Sequence, residues 1–308
     1  MNQLKKYFQI TKNALIAFID DDGMRLSASL SYYTIFSIAP FLIIIISVVG
    51  LVFGKGAVAG KVFYQIKSLI GADAALQIQN IIANVQLKDQ GTAGTIIGLV
   101  ILLVGATGVF TEIQGSINYM WSIKAKPEKG MLKLVMNRLL SFSLIVSIGF
   151  ILLVSLLLNT ILDLLYDRIA IVFNSNNPFS LPIIYAFNLI VLFIFITILF
   201  SIIFKVLPDA IIKWRDSFAG ATFTSALFIL GKFLIGLYIG NSKLGATYGA
   251  AASVVIILLW VYYTSIILYL GAEFTKIYSR ELGDGIKASA QSVYIIKTES
   301  KELPTNIP

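Results

Sequence analysis

The feature that most constrains this chain is a set of six apolar blocks, each close to or beyond the length that crosses a bilayer. A spanning helix needs roughly 20 predominantly apolar residues to cross about 30 Å of hydrocarbon. The blocks cover about 35–53, 94–110, 139–162, 181–204, 218–239 and 250–272. Backbone amides find no partner in lipid, so each block is expected to bond internally as a helix. The ten-residue alternation of a membrane β-barrel is absent. Composition agrees: 13% of the residues are charged, against about 25% in a soluble domain. The expected fold class is therefore all-α, a polytopic membrane helical bundle of about six transmembrane helices.

A single transmembrane domain covers 1–280, and 281–308, polar and ending in Pro304 and Pro308, reads as a flexible cytoplasmic tail. The first block has no small-residue cleavage site before it and reads as a retained helix. Pro40 interrupts it, and the lead-in from Arg25 to Thr34 belongs to the same helical unit. The second block extends as a more polar helix toward Trp121. Between the first two blocks, Val62, Phe63, Ile66, Leu69 and Ile70 mark one apolar face, and Ile78, Ile81, Ile82 and Val85 another. Such spacing fits amphipathic helices lying on the membrane or capping the bundle, in the first extracytoplasmic loop. Asn174 to Pro178 is a turn cluster.

The net charge of +8 has a direction. If both termini lie on one side, seventeen Lys and Arg fall in the segments of that side and six in those of the other. Cytoplasmic loops carry such an excess, so both termini are expected in the cytoplasm of a bacterial inner membrane. The basic segments then face anionic lipid, and no nucleic-acid partner is needed to explain the charge.

Residue types narrow the chemistry. The chain has no histidine and no cysteine, which removes the usual neutral-pH base, the commonest metal ligand, thiolate sites and disulfides. No Walker-type glycine loop occurs. No metal, no cofactor and no catalytic residue is expected. The one acidic run, Asp20-Asp21-Asp22, reads as a solvated cap or a partner for basic residues.

Several stretches, in order along about residues 20–280, resemble the YihY/BrkB family. Ser27-Ala28-Ser29-Leu30-Ser31-Tyr32-Tyr33-Thr34-Ile35-Phe36-Ser37-Ile38-Ala39-Pro40 resembles its N-terminal signature. Gly105-Ala106-Thr107-Gly108-Val109-Phe110, followed by Gln114, Asn118 and Trp121, resembles its second. Leu207-Pro208, with Trp214 and Gly220-Ala221, resembles the loop before its fifth helix. Tyr248-Gly249-Ala250, Leu259-Trp260-Val261-Tyr262-Tyr263 and Gly271-Ala272-Glu273 resemble the last. The resemblance implies an all-helical inner-membrane protein of about six spans. The family has carried the label ribonuclease BN, but a nuclease needs metal-binding carboxylates or an acid/base pair held together. This sequence offers neither, so ribonuclease activity is not expected.

Four constellations are candidate sites. Ser27, Ser31, Thr34 and Ser37 share one helical face, flanked by Tyr32 and Tyr33. They read either as close packing with hydroxyls bonded back to the backbone, or as a wet groove for a polar head group. Lys232 stands inside the fifth block, where a charge costs roughly 2.5–3.5 kcal/mol and should face protein or water. Asn188 and Asn159 are its expected polar neighbours; an anion site and outward snorkelling are the two readings. Arg25, Glu112, Gln114, Asn118, Lys205, Asp209, Arg215 and Glu273 form a polar rim, read as ion pairs locking helix ends or as a gate. Gly94 with Gly98, and Gly236 with Gly240, permit close helix approach.

The functional expectation is a transporter or lipid-handling protein with a polar cavity among the first, second, fifth and sixth helices. Its partners would be membrane lipids and an anionic or amphipathic substrate. The alternative is a non-transporting scaffold for envelope integrity. Nothing in the pattern specifies an oligomeric state.

Overall fold

A computed structural model describes residues 3–37, 76, 108–126, 180–241 and 252–296. The spans expected at 139–162, most of those at 35–53 and 94–110, the amphipathic stretches of 62–85, the turn at 174–178 and Asn159 lie outside the described residues. The described part is a helical membrane bundle with four very short strands at one end. In chain order it comprises α1 (Gln3–Asp20), α2 (residues 23–37), α3 (residues 108–120), β1 (Ile123–Ala125), α4 (Ser180–Val206), β2 (Ala210–Ile211), α5 (Trp214–Asn241), α6 (Ala252–Leu282), β3 (Lys287–Ala288) and β4 (Ser292–Tyr294).

Three described helices are long and apolar enough to cross a membrane, over Leu189–Val206, Trp214–Ile235 and Val254–Leu282. Each outruns its apolar block. The fourth expected span, 181–204, extends to Val206 and stops at Leu207-Pro208, because proline cannot continue the hydrogen-bond ladder. The fifth, 218–239, begins earlier at Trp214, where Asp216 in the first turn suits the positive end of the helix dipole. The sixth, 250–272, runs on to Leu282. It ends where the amides of Gly283 and Gly285 both donate to the Ser279 carbonyl, at 3.0 Å each. Gly285 has φ 73°, a conformation side chains resist.

α5 packs between α4 and α6. One core joins Phe200 and Phe204 of α4, Ala221 and Phe228 of α5, and Ile267, Leu268, Tyr269 and Ala272 of α6, together with Ile117, Met120 and Trp121. α5 and α6 approach through a reciprocal pair. Gly220 faces Thr275, and Thr224 faces Gly271, so the repeat Gly-x-x-x-Thr occurs on both antiparallel helices. Each threonine donates back into its own helix, Thr224 Oγ1 to Gly220 O and Thr275 Oγ1 to Gly271 O, both at 2.7 Å. Small residues and self-satisfied hydroxyls let backbones close up where lipid offers no hydrophobic drive.

Two features differ from the sequence expectation. α1, absent from it, docks Ile10 and Ala14 near the end of α6 and start of α5, and Phe18 joins the main core. The flexible tail expected from residue 281 is corrected over 283–296. There the chain folds back, pairing β3 with β2 and β4 with β1, both antiparallel. Ser292 is buried and its hydroxyl donates to the Asp209 carbonyl at 2.7 Å. Both strand pairs form across distant parts of the sequence, so no local pattern announces them.

Candidate functional site

The turn between α1 and α2 starts the polar end of the bundle. Asp22 sits at φ 55°, a left-handed conformation that Asp tolerates better than most residues. Gly23 follows, packed so tightly on Phe18 that an added Cβ would lie 2.6 Å from the Phe18 carbonyl oxygen. The turn divides the acidic run. Asp20 is exposed, Asp22 pairs with Arg25 at 2.8 Å on the surface, and Asp21 is buried against Lys276 at 3.3 Å.

Lys276 holds a wider cluster. Its ammonium lies 3.1 Å from the fully buried Glu273 and donates to the Met120 carbonyl, while Trp121 Nε1 donates to Ala272 O at 3.0 Å. One cation thus ties the α1–α2 turn, the end of α3 and α6 together. A second clamp joins α3 to the segment after α4. Asn118 donates to an Asp209 carboxylate oxygen at 2.9 Å and accepts from the Asp209 amide at 2.8 Å, with Gln114 at 3.4 Å from the other oxygen. At the start of α5, buried Asp216 accepts from Ser279 at 2.7 Å. On the surface, Lys213 pairs with Asp284 and holds its carboxyl below the usual carboxylate range.

Five residues expected in the rim therefore have separate roles. Asn118 meets Asp209, Glu273 meets Lys276, and Arg25 meets Asp22. Lys205 donates to the Ile212 carbonyl and lies 5.9 Å from the Trp214 ring centre. Glu112 is half-buried near Tyr269. The sequence pattern points to Asn118 and Glu273 but not to Lys276. Its signal is an i,i+3 spacing from Glu273 near the end of the last span.

The expected hydroxyl row is bonded internally. Ser27, Ser31, Thr34 and Ser37 donate to the carbonyls of Gly23, Ser27, Leu30 and Tyr33, at 2.7–2.8 Å. Ser27 and Ser31 are buried, whereas Tyr32 is 61% exposed on another face. The serines and Tyr32 therefore do not share one surface. Buried Ser201 and Ser225 make no hydrogen bond among the described residues.

Lys232 lies well away from the basic end. After Asp216 it is the one charged residue of α5, about 22 Å along the axis from Ser217. It is half-buried, on the flank between buried Phe228 and Ile235 and exposed Leu230, Phe233, Leu234 and Leu237. The contact of Phe200 with Phe228, 6.3 Å between ring centres, fixes the antiparallel register of α4 and α5. That register puts Lys232 about level with Ile196. Asn188 lies two turns further along α4, about 12 Å, and is not level with the lysine.

The basic segments nevertheless meet at one end. Strand pairing joins 123–125 to 292–294 and 210–211 to 287–288, and Lys276 reaches Asp21. The model of the family described as "Virulence factor BrkB" matches residues 14–293. The chain belongs to this family. It is 25% identical over 286 residues to a "UPF0761 membrane protein" of Alcanivorax borkumensis, covering 89% of this chain and 61% of the relative. A protein of the same name in Azotobacter vinelandii is 26% identical over 263 residues, covering 83% of this chain and 60% of the relative. The chain thus spans about three-fifths of the length of these relatives. No solved structure matches it. The BrkB-family chain is a membrane protein built largely of helices.

Proposed function

We propose that this protein is a transporter or lipid-moving protein for amphipathic anions, and that Lys232 receives the anionic head group. The observation that carries the reading is the position of Lys232 on a half-buried flank deep within an apolar helix. A cation retained there costs roughly 2.5–3.5 kcal/mol, which marks it as functional by default. A phosphate or carboxylate travelling between leaflets would pass a cation at this depth. The polar groups of the basic end hold helix ends and take no direct part. In this reading the chain catalyses no covalent change. It sits in a bacterial cytoplasmic membrane with both termini inside, a placement supported by the meeting of its basic segments at one end.

A second reading, a non-transporting scaffold, is favoured by the hydroxyl row, whose four members are used within their own helix. Reconstitution separates the two. Purified protein in liposomes should expose a fluorescent phosphatidylglycerol analogue from the inner leaflet faster than empty vesicles do. Movement no faster than in empty vesicles would overturn the transport reading and favour the scaffold.

A further inference from the structure

We infer that α1 is an interfacial helix whose outward face binds the anionic lipid surface of the membrane that the bundle spans. The helix has two apolar faces. Ile10, Ala14 and Phe18 point inward and are at most 4% exposed. Phe8, Leu15 and Ile19 point outward and are 74%, 46% and 68% exposed. Their spacings of seven and four residues place these three on one stripe. Lys5 and Lys12, both exposed, stand three residues before and four after Phe8, on the edge of that stripe.

Orientation and depth fit an interface. Tyr7 meets Tyr278, Asn13 meets Glu281 and Asp21 meets Lys276. Those contacts cover about 21 Å along the chain direction of α1 but only about 8 Å along α6. The two helices therefore cross steeply, and α1 leans toward the membrane plane when α6 spans. The inward face also packs on Ala219 and Phe223, between about 7 and 14 Å along α5 from Trp214. Trp214 and Phe218 are exposed aromatics on that end of α5, of the kind that sits at head-group level. α1 is thus docked beside the end of α5 that carries these aromatics, with two ammonium groups on the edge of its outward stripe placed for acidic head groups. An interfacial helix buries its apolar face about 5–10 Å into this layer and gains from anionic lipid.

The absence of cysteine from the sequence makes the test direct. Single variants Phe8→Cys, Ile19→Cys and Gln9→Cys are spin-labelled in the full chain and reconstituted in nanodiscs containing phosphatidylglycerol. Labels at Phe8 and Ile19 should be open to oxygen and shielded from a water-soluble nickel complex, and the label at Gln9 the reverse. Labels at Phe8 and Ile19 that are open to nickel would overturn the inference. Labels closed to both reagents would overturn it in favour of a second copy of the chain covering the stripe. Replacing Lys5 and Lys12 with Gln should weaken the lipid shielding by roughly fivefold per lysine in the inserted-to-withdrawn ratio. Moving the parent protein into phosphatidylcholine alone should give the same loss, and unchanged shielding in either arm would refute the role of acidic head groups.

Discussion

Toward the basic end, α6 is buried on almost every side from Ile267 to Ser279, while toward the other end α5 exposes Leu230, Phe233, Leu234, Leu237 and Tyr238. The charges differ in the same way. Glu273 and Asp21 share Lys276 within hydrogen-bonding or ion-pairing distance, and Asn118 grips Asp209 from two directions. Lys232 stands on the boundary between packed and exposed surface, far along an apolar helix. Burying a charge is tolerable when a partner and hydrogen bonds come with it. The basic end meets that condition with residues of its own chain, which makes those charges structural. Lys232 differs in place: it stands mid-span, where packed surface gives way to exposed apolar surface, and the proposed function rests on that position.

Substitutions can break this contrast. Lys276→Met removes the shared cation and leaves Glu273 and Asp21 buried together, which should destabilise by about 3–5 kcal/mol. Thermal unfolding in detergent would read this as a large fall in Tm, and adding Glu273→Gln should restore part of it. A Lys276→Met protein as stable as the parent would show that the cluster does not hold the end together. Gly220→Val is next. A Cβ there would lie 2.8 Å from Thr275 Cβ, and overpacking of this kind costs about 1–3 kcal/mol. Thr275→Ala in the same chain should recover some of the loss.

The smallest effect is expected at the surface pair. Lys213 lowers the folded-state pKa of Asp284, so its contribution is present above the unfolded carboxyl pKa and is lost as pH falls through the folded one. Asp284→Asn should therefore differ slightly from the parent at neutral pH and converge with it in acid. A gap that widens on acidification would contradict the pairing.

How much of this was legible depended on distance along the chain. α4, α5 and α6 could be read because length and hydropathy act locally. The internal bonding of Ser27, Ser31, Thr34 and Ser37 follows from spacings of three and four, and was one of two readings open from sequence. α1 was missed because its apolar residues divide between two faces with lysines among them, so no block forms. β3 and β4 were missed because strands of two or three residues are fixed by their partners. The Asp21–Lys276 pair joins positions 255 residues apart, beyond any periodicity. The Gly-x-x-x-Thr repeat is visible twice in the sequence, but its meaning needs the antiparallel packing of α5 on α6.

The most direct test of the division between a structural end and a ligand-receiving flank is lipid selectivity. In proteoliposomes, acidic and zwitterionic fluorescent phospholipids are followed side by side for the parent and for Lys232→Gln, after thermal unfolding shows both folded. The account predicts that the parent moves the acidic lipid faster and that Lys232→Gln loses this preference. An unchanged preference in Lys232→Gln would contradict it.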